Sequence, residues 1–274
     1  MTREPRDGLD IWLVDLEAGE TILHRLGEAH QLLAPVGVVE TAAATSSAHV
    51  IRAAPGSRRQ QAARLALRAV LAGYVGQDLA RQPFEIGPAG KPRLPAGLAK
   101  PQLDFSLTHC ETAALIAISS AGAVGIDIEA SRPVRINPER RAMLEDAADA
   151  LSPDEPLPAA LDDRRFLQAW VRLEALAKAT GEGISALLGR LGIRGRSLLV
   201  TNAGSPAGQP MRVRDLRLDA QPPLHAAIAG VLPLLGAGIP APPVRTLPLD
   251  AAFLEALVTG PALAWPRAPP APAG

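Results

Sequence analysis

The chain has 274 residues, which is enough for one large domain or two small ones with a buried core. Its 28 basic and 28 acidic residues balance, and only 3% of its residues are aromatic, so it lacks the basic excess and the base-stacking platforms of a nucleic-acid-binding protein. A single cysteine, Cys110, excludes an intramolecular disulfide. A polar N-terminus and the lack of an uninterrupted apolar span predict a soluble cytoplasmic protein that binds no membrane.

The first half of the chain alternates between strand-like and helix-like patterns. An Arg-rich segment has apolar residues at helical spacing, with Ser57 as a candidate N-cap and Gly73 or Gly76 as its end. The elements predicted here are a strand at 9–16, this helix from about 56 to 76, a Gly- and Pro-rich loop at 87–97, and strands at 103–107 and 113–119.

The second half begins with a strand and continues through two helices. Apolar residues recur at helical spacing across 164–180, and Gly181 is a typical C-terminal stop. The elements predicted here are a strand at 124–129, helices at 137–150 and 164–180, and strands at 197–201, 211–218 and 224–231. We expect halves at 1–123 and 124–240, followed by a Pro- and Ala-rich tail at 241–274 that is partly disordered, above all at 267–274.

The strand-like run AVGIDIE at 123–129 carries two carboxylates two residues apart. Alternate residues of a strand point to one side, so Asp127 and Glu129 share a face and Ile126 and Ile128 share the other. One interpretation is a strand end that emerges into water. The other is a pair of carboxylates that holds a divalent cation.

Three further features are weak when taken singly. Glu174 and Lys178 share a helix face, which is typical of a solvated ion pair. Lys91 lies on a Gly-Pro loop, where it is either a charged turn residue or a phosphate ligand. His109 follows a strand and is either a core or loop histidine or a site residue, and Cys110 beside it is typical of small core filler.

The order of these features is more specific than any one of them. Together they resemble the 4′-phosphopantetheinyl transferases, specifically the long surfactin-synthetase-activating type. With the Arg-rich helix the resemblance covers about 56–185 and includes GKPRL at 90–94, FSLTH at 105–109, GIDIE at 125–129 and WVRLEALAKATGEGI at 170–184.

The resemblance implies an α+β fold with pseudo-twofold symmetry. Two similar halves would each pack a long helix against a small antiparallel sheet, with coenzyme A in the cleft between them. The implied reaction moves the 4′-phosphopantetheine arm of coenzyme A onto a serine of an apo acyl or peptidyl carrier protein and releases 3′,5′-ADP. Since both halves lie in one chain, a monomer is expected, while the type of carrier protein is left open.

The resemblance also implies a metal site. Asp127 would be the central ligand of Mg²⁺, or of Mn²⁺, and Glu129 and Glu174 would be further ligands. Hard cations of this kind prefer oxygen ligands. Glu174 is also a candidate for deprotonating the carrier serine, directly or through a metal-bound water. Lys178 would bind a phosphate oxygen and stabilise the leaving group.

The remaining implied contacts are with coenzyme A. His109 would hydrogen-bond the diphosphate or the 3′-phosphate region, flanked by Lys91 and Thr108. Arg59 is the candidate for the 3′-phosphate, and its neighbour Arg58 cannot be separated from it by sequence.

The chain departs from the family pattern at some positions. Leu173 stands where many members have lysine before the helix glutamate, and Arg172 is considered as its substitute. Ser106 and Thr108 stand where asparagine and serine are frequent, which is a mild change between small polar residues. Two alternatives stay open: a Mg²⁺-dependent phosphohydrolase or nucleotidyl transferase that uses the same carboxylates, and a homologue without turnover.

Overall fold

The computed structural model describes residues 5–32, 57–76, 82–95, 103–193, 210–219, 223–231, 235–236 and 242–259. The strand predicted at 197–201 and the segment at 267–274 lie outside these residues. After a short 3₁₀ turn at Arg6–Gly8, the elements are β1 (Leu9–Asp15), α1 (Leu16–His30), α2 (Arg58–Val75), β2 (Glu85–Ile86), β3 (Pro92–Arg93), β4 (Asp104–His109), β5 (Ala113–Ser119), β6 (Val124–Ala130), α3 (Pro138–Leu151), α4 (Asp163–Thr180), α5 (Ile184–Arg190), β7 (Met211–Asp215), β8 (Leu224–Val231), β9 (Val244–Thr246) and α6 (Ala251–Thr259).

The first sheet has the strand order β4-β5-β1-β9. The pairs β4–β5 and β1–β5 are antiparallel, and β9 joins β1 in parallel. Helix α2 packs its apolar face on this sheet in one core cluster. The predicted cap of α2 is confirmed, because the Ser57 Oγ accepts from the Gln60 N–H at 3.2 Å and the helix ends before Gly76.

Helix α1 was not predicted, and its glycines explain why. Gly19 and Gly27 interrupt the helical pattern. The helix nevertheless has a well-capped N-terminus, since Asp15 Oδ1 accepts from the N–H groups of Glu17 and Ala18. A Cβ on Gly27 would lie 2.2 Å from Leu65 Cδ2, so the missing side chain allows α1 to pack closely against α2.

The second sheet has the strand order β6-β8-β7 and is antiparallel throughout. Helix α4 packs across one face of this sheet, and α3 packs against α4. Both helices fall where the sequence predicts them, and Asp162 and Asn137 cap their N-termini. The predicted α+β class is confirmed, with one long helix packed on each small sheet.

The described part of the C-terminal segment returns to the first sheet. Strand β9 pairs with β1, and α6 packs against α2 and α1. Arg245 Nη1 donates to the buried Asp10 Oδ1 at 2.6 Å. Residues 242–259 are therefore structured within a stretch where sequence predicted only a partly disordered tail. Among the helices that the structure describes, none has the length and hydropathy of a bilayer-spanning segment.

Candidate active site

Polar side chains join the two sheets where their edge strands β4 and β6 meet. Alternate residues of β4, namely Asp104, Ser106 and Thr108, point toward β6, and we call their contacts the β4–β6 junction. Two of these side chains accept from N–H groups that face away from the neighbouring strand β8. The hydrogen bonds are Asp104 Oδ2 from Val124 N at 2.8 Å, Ser106 Oγ from Ile126 N at 3.2 Å, and Thr108 Oγ1 to Asp127 Oδ1 at 2.9 Å.

Asp127 is the centre of this junction and is only 6% exposed. Its Oδ1 accepts from Thr108 Oγ1 and also from Lys178 Nζ at 2.6 Å. Lys178 Nζ donates in addition to Ile126 O at 3.3 Å. Among the described residues, no side chain or backbone group bonds Asp127 Oδ2. The carboxylate is thus oriented through one oxygen, and its other oxygen is left for a ligand.

Helix α4 brings Glu174 and Lys178 over strand β6. The helix can approach this closely because Gly125 has no side chain: a Cβ there would lie 2.0 Å from Ala175 O and 2.3 Å from Ala179 N. The ion pair that Lys178 makes is with Asp127 and not with Glu174, its neighbour on the helix. The interpretation of Glu174 and Lys178 as an isolated, solvated pair is therefore wrong.

The three predicted metal ligands influence one another electrostatically. Burial raises the pKa of Glu174 above its ordinary value, and the negative charges of Asp127 and Glu129 raise it further against the opposing charge of Lys178. Burial also raises the pKa of Glu129, where the charge of Asp127 acts against its ion pair with Arg132 at 3.4 Å. A nearby cation would relieve this repulsion.

The carboxylates fit a hard divalent cation by chemistry and charge. Their oxygens are the donors that Mg²⁺ prefers, and the repulsion among them favours a positive ligand. The side chains as they lie do not form a finished cage, because no group of three or more His, Cys, Asp or Glu residues in the described part of the chain has the geometry to hold a metal. Asp127, Glu129 and Glu174 therefore stay predicted ligands.

A cavity of about 360 Å³ lies between the 87–92 loop, β4 and the C-terminal end of α4. Three predicted site residues line it, namely Lys91, Glu174 and Lys178, together with Ser106 of the β4–β6 junction. Glycines of the loop and of the α4 end also line it. The structure thus gathers residues from three separate motifs around one cavity.

The ammonium of Lys91 is already bonded to protein groups. Lys91 Nζ donates to Asp104 Oδ2 at 2.5 Å and to Val124 O at 2.8 Å, and its side chain is 9% exposed. Burial lowers the pKa of Lys91, while the adjacent Asp104 carboxylate acts in the opposite direction. The role of Lys91 as a phosphate ligand stays a prediction, and this geometry does not favour it.

His109 ends β4 beside the positive charges of the site. Partial burial lowers the pKa of its ring, and the nearby charges of Lys178 and Arg64 lower it further. At neutral pH the ring is therefore uncharged. It can donate a hydrogen bond to a phosphate, but it adds no positive charge.

The two arginines at the start of α2 share Glu20 as an ion-pair partner, Arg59 at the longer distance of 3.9 Å, but they differ in their other contacts. Arg59 Nη1 donates to Glu111 O at 2.7 Å, in the turn that follows His109. Arg58 Nε pairs with Glu20 on α1 at 2.8 Å. Of the two, Arg59 has the side chain that reaches toward the His109 end of β4. The structure therefore distinguishes these two arginines, which the sequence could not do.

Arg172 does not replace the missing lysine at position 173. Its side chain is fully buried, and its guanidinium bonds both carboxylate oxygens of Asp215 at 2.7 Å and the carbonyl of Glu155 at 2.6 Å. Leu173 is fully buried in the core cluster of the second sheet. The suggestion that Arg172 binds a phosphate is wrong, because the helix turns both residues away from the cavity.

Two residues of this site were not identified from the sequence. Gly125 allows α4 to approach, and a glycine inside a strand is a known sign of such an approach. Asp104 begins the alternating polar series of β4, and that period-two pattern was the available signal.

Comparison with known proteins concerns the family that the sequence resembles. Residues 123–225 match the family model of the 4′-phosphopantetheinyl transferase superfamily. The match contains GIDIE and helix α4, and it confirms the family resemblance seen in the motifs. The long surfactin-synthetase-activating subtype stays a prediction.

Two relatives match about half of the chain. The chain is 34% identical over 132 residues to the 4′-phosphopantetheinyl transferase HetI of Nostoc sp., covering 47% of this chain and 54% of the relative. It is 31% identical over 130 residues to a protein of Synechocystis sp. named "Putative 4′-phosphopantetheinyl transferase", covering 47% of this chain and 51% of the relative. The aligned part thus spans about half the length of each relative.

Proposed function

We propose that this protein transfers the 4′-phosphopantetheine arm of coenzyme A to a serine hydroxyl of an apo acyl or peptidyl carrier protein, in a reaction that needs Mg²⁺ and releases 3′,5′-ADP. The observation that carries the proposal is the surroundings of Asp127. Lys178 and Thr108 orient this buried carboxylate through one oxygen, and Glu174 and Glu129 raise the negative charge around it. The match to the transferase superfamily supports the same reaction.

The chain's own residues divide the work of this reaction. Asp127, Glu129 and Glu174 would hold the Mg²⁺, or Mn²⁺, whose charge offsets that of the diphosphate. Lys178 bonds Asp127 and lines the same cavity, and it supplies a positive charge to a phosphate oxygen. His109, being neutral, donates a hydrogen bond to the diphosphate.

The transfer breaks one bond and forms another at the same phosphorus. The serine Oγ of the carrier protein bonds to the phosphorus of the pantetheine phosphate, and the bond from that phosphorus to the bridging oxygen breaks. The serine proton passes to Glu174, whose side chain lines the cavity. The leaving 3′,5′-ADP carries the bridging oxygen and its negative charge, which Lys178 stabilises.

Arg59 is proposed to bind the 3′-phosphate, because of Arg58 and Arg59 it is the one that donates to the turn after His109. Thr108 is proposed to act through Asp127, to which it donates, rather than on the substrate. We also propose that the protein acts as a monomer, which light scattering after size-exclusion chromatography would test.

Intact-protein mass spectrometry of an apo carrier protein tests the reaction directly. The carrier is incubated with the protein, coenzyme A and Mg²⁺, with EDTA in a parallel sample. We expect a mass gain of one phosphopantetheine arm that EDTA abolishes and that Asp127→Asn removes. The matched control is Asp146→Asn, the same change at an exposed carboxylate of α3.

Two results of this assay would contradict the proposed transfer, and a third would favour another reaction. No mass gain on acyl, peptidyl or aryl carriers would contradict the proposal, as would a fully active Asp127→Asn variant. Release of a nucleotide product without any carrier protein would instead favour a phosphohydrolase or nucleotidyl transferase.

A further inference from the structure

Lys91 and Asp104 bond each other and also the backbone of Val124, the first residue of β6. Asp104 Oδ2 accepts from Lys91 Nζ at 2.5 Å and from Val124 N at 2.8 Å. Lys91 Nζ donates at the same time to Val124 O at 2.8 Å. One ion pair therefore holds both polar groups of the Val124 backbone, three residues before Asp127.

The same lysine belongs to a tight loop that forms one wall of the cavity. The loop is closed by hydrogen bonds of 2.9 Å from Gly87 N to Lys91 O and from Gly90 N to Gly87 O. Lys91 and Gly90 line the cavity, which Lys178 and Glu174 line from the opposite element. The contact of Lys91 with Asp104 and Val124 thus connects this wall to the strand that carries Asp127.

The geometry makes a direct phosphate contact by Lys91 costly. The side chain is 9% exposed, and two of its three donors are used by protein acceptors. If the ammonium turned into the cavity, the Asp104 carboxylate would lose the charge that pairs with it. Breaking a largely buried ion pair from one side is strongly unfavourable.

We propose that Asp104 is a positioning residue for coenzyme A binding and that Lys91 acts through it. The pair holds the 87–92 wall of the cavity against β6, so that the cavity keeps the shape that admits the substrate. Lys91 then contributes placement of the wall rather than charge at a phosphate. This inference rests on the proposed function, because coenzyme A is the ligand assigned to the cavity.

A double-mutant cycle distinguishes this role from direct phosphate binding. The variants are Lys91→Met, Asp104→Asn and the two combined, with Asp146→Asn as the matched control on an exposed surface. Asparagine keeps an acceptor for Val124 N, which favours a folded variant. The Kd for coenzyme A is measured by calorimetry, and the KM values for coenzyme A and for the carrier protein are compared.

We expect each single variant to weaken coenzyme A binding by about tenfold, as is typical of residues in contact, and the combined variant to be no worse than either. The KM for coenzyme A should rise, while the KM for the carrier protein stays unchanged, which general destabilisation would not produce. If Lys91 binds a phosphate directly, Asp104→Asn frees its ammonium, so binding would be unchanged or tighter and the effects would add. That result would overturn the inference.

Amide hydrogen exchange separates this inference from the proposed function. In both single variants, exchange of Val124 and of the 87–92 loop should become faster, and it should not change in Asp146→Asn. If exchange in Asp104→Asn is unchanged, the positioning role is refuted whatever the enzyme's activity. If the unaltered protein binds no coenzyme A, the proposed function fails and so does the role in coenzyme A binding, while faster exchange would still show that the pair holds the loop.

Discussion

Replacing Gly125 with alanine should separate the two elements that form the candidate site. A Cβ at this position would lie 2.0 Å from Ala175 O, 2.3 Å from Ala179 N and 3.0 Å from Ala179 Cα. All three are backbone atoms of α4, so no side-chain rotation relieves the clash. Moving the nearest contact to an ordinary 3.4 Å requires α4 and β6 to separate by about 1.4 Å.

This separation has consequences for both stability and activity. Overpacking of a well-packed core typically costs about 1–3 kcal/mol, so the free energy of unfolding should fall by that amount. The Lys178 Nζ–Asp127 Oδ1 contact of 2.6 Å would lengthen beyond hydrogen-bonding distance. A displacement of about 1 Å at a catalytic group can cost roughly a hundredfold in rate, so we expect a loss of that order in carrier modification.

Urea unfolding and the mass-spectrometric transfer assay measure these two effects. The control is Gly19→Ala on α1, where a Cβ would meet the ends of two flexible side chains, Leu249 at 2.9 Å and Leu23 at 3.3 Å, and where alanine favours the helix. We expect the control to keep both stability and transfer rate. If Gly125→Ala keeps its free energy of unfolding within about 0.5 kcal/mol and its transfer rate within about twofold of the unaltered protein, the site does not depend on the close approach of α4 to β6.

Four further predictions concern titration and the buried charges. Because burial raises the pKa of Glu174, its ionised fraction falls as pH drops through that raised value, so Mn²⁺ affinity measured by calorimetry should weaken at a higher pH than for an ordinary glutamate. Glu174→Gln should reduce this step to the part contributed by Glu129, whose pKa is also raised, and an unaltered profile would contradict the assignment. By the same sign, ionising Glu174 disfavours the metal-free fold, so its stability should rise as pH falls through this range. Because the pKa of His109 is lowered, His109→Gln should keep more coenzyme A affinity at pH 7 than His109→Ala, and equal losses would show that the N–H donor is unimportant. Arg172→Leu leaves the Asp215 carboxylate unpaired and should lower the free energy of unfolding by about 3 kcal/mol, against which a loss in urea unfolding of under about 1 kcal/mol would count.

Elements with a clear period and local boundary signals could be predicted from the sequence. Helix α2 follows its predicted N-cap Ser57, and strands β5 and β6 lie where apolar runs and turn residues indicate. Helix α1 could not be predicted, since Gly19 and Gly27 interrupt its helical pattern and Gly27 serves packing against α2. The parallel pairing of β9 with β1 also escapes prediction, because it joins residues more than 230 positions apart and leaves no local periodicity.

The residues of the candidate site were likewise only partly predictable from the sequence. Helical spacing places Glu174 and Lys178 on one face, and strand alternation does the same for Asp127 and Glu129. Spacing alone could not show that Lys178 pairs with Asp127 across 51 positions of the chain. Spacing alone also could not show that Arg172 is fully buried. Neighbouring positions of a helix point in different directions, so one faces the core while another faces the cavity.

The four motifs are related physically because one of them forms strand β6 and the other three contact it. Lys91 of the first motif bonds Val124, and Ser106 of the second bonds Ile126. Gly125 lies in the strand itself, beneath the helix that carries Lys178. The outward-facing N–H and C=O groups of this edge strand thus donate hydrogen bonds to, or accept them from, side chains of the other motifs. Their order along the chain is therefore specific because it describes the surroundings of one strand.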